Sequence, residues 1–147
     1  MSQILSQNNP VSVRIGNLTY ENVVSVGVKV QGVGGGDMVS SQTVANNFAP
    51  VALTDHAKET VVVVAIDARN VLSDLISAGY ISLSGSNGAL GTFSYVERNG
   101  NEQTRTVNFD GSKSKIQSCE PKLKDKENPV TEITILTSGN ITFSNFT

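Results

Sequence analysis

The strongest pattern in the chain lies between Lys58 and Gly79, where four consecutive valines, Val61 to Val64, lead through Ala65 to Ile66. β-Branched side chains are stiff at χ1 and suit a pleated strand, and a run without polar alternation predicts a strand covered on both faces. The period changes after Asn70. Val71, Leu72, Leu75 and Ile76 fall on one helical face, Asn70 is a residue type that caps helix N-termini, and Gly79 stands where a left-handed residue ends a helix. A helix of about two turns is marginal alone in water. The four apolar side chains are therefore expected to pack the helix across a sheet.

Upstream, Val11, Val13 and Ile15 alternate with Ser12, Arg14 and Gly16, which predicts a half-buried strand closed by a turn at Gly16-Asn17. Val24, Val26, Val28 and Val30 alternate with Ser25, Gly27, Lys29 and Gln31, so residues 20–31 read as a longer strand with the valines on the core face and the others in water. Residues 32–57 break the pattern. A compact domain seldom carries a structureless connection beyond roughly 12–15 residues, and the scattered apolar residues Val33, Met38, Val39, Val44, Phe48, Val51 and Leu53 are too many for a plain linker and too few for a core. The segment reads as an extended arm whose greasy residues need a surface from elsewhere, with Gly34, Gly35 and Gly36 as its hinge.

After the helix, Tyr80 to Ser84 reads as a short strand. Phe93 and Tyr95 open a hairpin with its tip at Asn99-Gly100-Asn101. A three-residue loop, pairing Arg98 with Glu102 and Phe93 with Val107, avoids setting Glu97 against Glu102. Thr131 to Leu136 and Ile141 to Phe143 read as a terminal hairpin around Ser138-Gly139-Asn140. The fold class is mainly β: an antiparallel barrel or sandwich of eight or nine strands in a single domain over 1–147, with one flanking α-helix at about 71–78 and the long arm at about 32–57.

Composition narrows the chemistry. Cys119 is the only cysteine, which excludes an intrachain disulfide, and the chain shows neither a signal-peptide pattern nor an apolar stretch long enough to cross a bilayer. A cytosolic origin without membrane association is expected. The formal charge is −2, which argues against a strong sequence-independent grip on nucleic acid. Five lysines (Lys113, Lys115, Lys122, Lys124, Lys126) lie in residues 113–127 against Glu120, Asp125 and Glu127. This basic segment reads as a surface loop, with a docking surface for an acidic partner as the alternative.

The usual catalytic constellations are missing. Gly32 to Gly36 lacks the lysine and hydroxyl of a phosphate loop, and Asp55 cannot orient the adjacent His56 as a triad partner. Cys119 sits beside Glu120, which disfavours a thiolate. Asp67, Asp74 and Asp110 have no diagnostic spacing for acid–base or calcium chemistry, and Asn108 to Ser112 reads as a turn. With aromatics at 5% and no tryptophan, sugar platforms and base-stacking surfaces are disfavoured. A non-enzymatic building block without cofactor or metal is expected.

The order of these elements resembles the tail tube proteins of tailed bacteriophages, related to the secretion-tube protein Hcp. The likeness rests on Val23 to Gln31, the 32–57 arm, Thr60 to Ile66, the helix, Phe93-Ser94-Tyr95, Thr106 to Phe109 and Ile133 to Phe143. It implies a virion tail protein, most akin to those of contractile phages and assembled in the host cytoplasm, whose hexameric rings join sheets edge to edge and stack into a tube for genome delivery. It also implies sheath, tape-measure and baseplate partners and a lumen through which DNA slides unbound. Ser25, Glu97, Glu102, Thr104 and Thr106 are the lumen candidates; Asp74 and the lysines of 113–127 are the outward, sheath-facing ones. Other readings are a tail-completion, baseplate-hub or decoration module and, further off, a carbohydrate-binding sandwich.

Overall fold

The valine run forms β4 (Lys58–Ile66), an inner strand of a four-stranded antiparallel sheet. The computed structural model describes residues 8–32 and 58–147. Beside β4 lie β3 (Val23–Gly32) on one side and β8 (Val130–Thr137) on the other, and β7 (Ser114–Lys122) completes the order β3-β4-β8-β7. The second sheet has the order β2-β1-β5-β6-β9, built from β1 (Asn9–Ile15), β2 (Leu18–Tyr20), β5 (Phe93–Arg98), β6 (Thr104–Phe109) and β9 (Ile141–Phe143). The nine strands and one α-helix among the described residues match the mainly β expectation. The two sheets stay separate, as a sandwich rather than a closed barrel.

Alternation decides what each strand buries. Val62, Val64 and Ile66 face Val13, Ile15, Phe93, Val107 and Phe109 of the other sheet, and all eight belong to one core with Ile116, Ile133, Ile135 and Leu90. Val61 and Val63 point the other way and are half-buried, so the outer face of β4 is less covered than its unbroken apolar run suggests. The helix is elsewhere: α1 (Val71–Ser77) inserts Val71 and Leu75, both fully buried, into the same core, while Leu72 and Ile76 are half-buried. Asn70 makes no side-chain cap. The other end follows expectation, with Gly79 at φ +86°, its amide donating to Ile76 O at 3.1 Å and the Tyr80 amide to Leu75 O at 3.0 Å. This pairing satisfies two orphan carbonyls and lets the chain turn back over the helix.

Four local expectations are corrected. Tyr80 to Ser84 forms bends, not a strand, because Asn87 Oδ1 takes the Ser82 amide at 2.8 Å and holds a loop instead. The β5–β6 connection is five residues long, pairing Arg98 with Thr104 and Phe93 with Phe109. Asn99 organises it, its buried Oδ1 accepting from the amides of Asn101 at 2.9 Å and Gln103 at 3.0 Å. Ser138 to Asn140 is a crossover rather than a hairpin turn, since β8 pairs with β4 and β7 whereas β9 pairs with β6. Finally, residues 114–122 of the lysine-rich segment are strand β7. Ser114 and Ile116 point into the core and Cys119 packs half-buried against it, with Lys115, Gln117 and Ser118 between them exposed.

Gly111 seats the sheets on the linking loops. A Cβ there would stand 2.2 Å from the Gly91 carbonyl carbon and 2.4 Å from the Thr92 nitrogen. Both are backbone atoms held by the Gly91 amide's bond to Gly111 O at 3.0 Å. Gly111→Ala is expected to lower stability by about 1–3 kcal/mol, the usual range for forced overpacking, measured as a fall in the urea midpoint at unchanged m-value.

Candidate assembly surface

A sandwich of two open sheets has four edge strands, and exposed edges invite pairing with another chain unless they are short, charged, interrupted or covered. Three are managed. β2 and β9 are three residues long. Beyond β9 the chain continues along β6, where the Thr147 amide donates to Thr104 O at 3.0 Å, the Thr104 amide to Thr147 O at 3.2 Å and the Ser144 amide to Thr106 O at 3.1 Å. Phe143 and Phe146 lie against the Arg105 guanidinium at 5.0 and 4.7 Å from its carbon to the ring centres, a cation–π arrangement that holds this segment down. The first half of β7 is covered as well: the Leu90 amide donates to Ser114 O at 2.9 Å, Asn87 Nδ2 donates to Ile116 O at 2.7 Å, and Ala89 bridges Lys115. Its second half carries Pro121, which has no amide to offer, and Lys122, in a weak exposed pair with Glu132 at 3.7 Å.

β3 differs from these. It runs for ten residues, pairs with β4 on one side, and has no strand on the other among the described residues. The sequence places its alternate valines in the core, but Val24, Val28 and Val30 are 56%, 40% and 53% exposed. The register explains the difference. Val26, Val28 and Val30 sit opposite Val64, Val62 and Thr60, on the inward face, yet the other sheet reaches only Val26. There the sheets part around a cleft of about 130 Å³ lined by Val26, Pro10, Tyr95 and Glu97. Val24 occupies a bulge between Val23 and Ser25.

The five lumen candidates do not share a face. Thr104 and Thr106 project from the outer face of the β5–β6 pair, opposite Arg98 and Val96. Glu97 lies on the inner face opposite Arg105, with a 3.4 Å ion pair to it and the Asn8 amide nitrogen at 2.8 Å. Glu102 is in the hairpin loop at φ +62°, and exposed Ser25 belongs to the other sheet. Among the sheath-facing candidates, Lys113, Lys115, Lys122, Lys124 and Lys126 are all exposed, and Asp74 is half-buried with the Tyr20 hydroxyl at 3.0 Å. That bond and burial push the Tyr20 phenol up, burial contributing most. The arm residues Val33 to Leu53, and His56, lie outside the described residues.

Two further titratable groups are shifted by their surroundings. Asp110 is held below the usual carboxylate range first by the Ser112 hydroxyl, with the Ser112 amide and Lys113 helping. Burial pushes the Cys119 thiol up, away from nucleophilic character. No cluster of three or more His, Cys, Asp or Glu occurs among the described residues. What sequence reasoning missed is where the edge lies: alternation reports which way a side chain points, not how far the opposing sheet extends.

No family model matches this chain. No curated protein matches it either. Among solved structures, it resembles a chain of the virion of a native gene transfer agent particle, with a TM-score of 0.52 at 7% identity over 91% of this chain and 95% of the other. A chain from the tail of an empty gene transfer agent particle, refined with C6 helical symmetry, aligns at a TM-score of 0.45 and 8% identity over 92% and 96% of the two chains. The first likeness is one of fold, spanning nearly the full length of both chains.

Proposed function

We propose that this chain is a structural subunit of a phage-like tail, assembling into hexameric rings that stack as the inner tube and form a channel for DNA. The observation that carries the reading is the uncovered β3 edge. Among the described residues, ten residues of strand with exposed valines are left open while every other edge is shortened, covered or interrupted, and a sandwich guarded on three edges and open on the fourth is built to pair there. The fold it shares with a gene transfer agent virion chain supports a place in such a particle. The role is architectural rather than enzymatic. In a ring, β3 of one copy would meet β7, the opposite edge of the same sheet in its neighbour, once residues 87–90 leave it, and repetition around the axis pairs both edges of that sheet in every copy. Tape-measure protein inside, baseplate at one end and a sheath outside, against the exposed lysines of 113–127, are the partners this arrangement calls for.

Negative-stain microscopy of the purified chain at high concentration tests it. Rings or tubes of uniform diameter are expected, and the double variant Val28→Lys/Val30→Lys is expected to abolish them while keeping the thermal unfolding midpoint. Its two ammonium groups stay in water in the free chain but would be trapped in a closed edge. Wild-type protein that coats a preformed shell but makes no rings of its own would instead favour a decoration module.

A further inference from the structure

The β3 sequence from Val24 to Val30 reads Val-Ser-Val-Gly-Val-Lys-Val, and it has nearly the same pattern in both directions about Gly27. Laid antiparallel on a second copy with Gly27 facing Gly27, it sets Val26 against Val28 and Ser25 against Lys29, with Val30 meeting the bulge at Val24. Apolar residues then meet apolar residues on one face. On the other, each lysine faces a serine rather than a second lysine, which avoids the like-charge cost of direct opposition. The sheet face at Gly27 is also open, since a Cβ built there meets nothing within 4 Å.

We infer that, before assembly, two copies of this chain close their β3 edges on each other across a two-fold axis at Gly27, as a storage dimer. The inference rests on the tube reading for its purpose, but its geometry comes from the edges alone. The heterologous partner that a ring needs, β7, is a poor acceptor as it stands: Asn87 and Leu90 occupy the carbonyls of Ile116 and Ser114, and Pro121 lacks an amide. Among the described residues nothing obstructs β3 in this way, so its best available match is another β3. Isologous pairing of this kind is closed and does not propagate, whereas β3 on β7 does. The dimer would therefore keep the open edge out of premature polymer until residues 87–90 move off β7.

The test uses Gly27→Cys in a Cys119→Ser background, with the full chain and mild air oxidation. Opposed residues of an antiparallel pair lie within the Cα separation a disulfide needs. The expected result is a disulfide-linked dimer with Cys at position 27 joined to itself, and a wild-type mass by light scattering that moves from monomer towards dimer with concentration. Adding Val28→Lys is expected to weaken that association by about tenfold or more, because it buries unpaired charge at the junction, with an unchanged unfolding midpoint at dilutions where the wild type is monomeric. A chain that stays monomeric at every concentration short of tube formation overturns the inference, as does cross-linking of position 27 only to β7 in an engineered Gln117→Cys partner. Tubes without any prior dimer would leave the tube reading standing and remove this one. A self-cross-linked dimer that never yields rings would do the reverse.

Discussion

Phe93→Ala is expected to lower the stability of the chain by about 3–5 kcal/mol, the range for truncating a fully buried aromatic. Phe93 is 1% exposed and is the largest of the fully buried side chains. Its ring stacks on Phe109 with centroids 4.6 Å apart and planes 20° from parallel, and Tyr95 tilts against Phe109 at 6.0 Å. Phe93 also sits opposite Ile15 in the ladder, so it fills the space where β1, β5 and β6 share one layer of core. The cavity left by alanine cannot close easily. Two ladders fix the backbone on either side of it, and the Gly91–Gly111 contact just before β5 leaves no room for the loop to sink inward. Urea denaturation followed by tyrosine fluorescence would report the loss, and Phe93→Leu, which keeps most of the volume, is expected to recover a large part of it. A cost below about 1 kcal/mol would mean that the aromatic stack is peripheral to the fold.

Much of this architecture is legible in the residues. The strands at 9–15, 23–32, 58–66 and 130–137 follow from alternating or continuous β-branched runs, and the helix from its apolar spacing and Gly79, because each signal is local. The errors have non-local causes. Ile141 to Phe143 looks like the second arm of a hairpin from Ser138-Gly139-Asn140, but whether a short connection turns back or crosses depends on which sheet has an open place, and here that place is beside β6. β7 is hidden because lysines dominate the composition of 113–127 and because a bulge between Ile116 and Ser118 breaks the two-residue period that would link Ile116 to Cys119. In the β5–β6 loop, a penalty between Glu97 and Glu102 weighs less than the Asn99 side chain, which satisfies two amides at once and makes the loop longer by two residues.

The candidate surface was readable in kind more than in place. The expectation of sheets joined edge to edge comes from the resemblance to tail tube proteins, whereas the alternation of residues 20–31 assigns the valines of this edge to the core. Val28 and Val30 do face inward; the opposing sheet ends before it reaches them. Likewise Glu97 looks like a surface acid by type, and only pairing with Arg105 at 3.4 Å across the ladder reveals that it lies between the sheets. Thr104 and Thr106, which differ from it in strand parity, are on the far side. Period-2 reasoning sorts such residues correctly only once the register is known, and register is a property of the turn.

Leu75→Ala is expected to cost about 2–5 kcal/mol, and its consequences should reach beyond the helix. α1 is only seven residues long, too short to persist without tertiary contacts. Leu75 is fully exposed to the core and fully hidden from water, and its carbonyl accepts the Tyr80 amide that turns the chain back. That turn delivers the Tyr80 hydroxyl to the Asn17 amide at 2.9 Å, while Asp74 on the adjacent position takes the Tyr20 hydroxyl. Two tyrosines thus bind the helix to the β1–β2 turn, and both depend on the seat that Leu75 provides. Loosening that seat is expected to lower the unfolding midpoint and, in hydrogen exchange, to speed the amides of Asn17 and Ala78 more than those of β4 and β8. If the midpoint falls but exchange rises uniformly, the helix unfolds with the core as one unit. If neither changes, the helix is not seated on the sheets, and the short element that joins both sheets at this end contributes nothing to their stability.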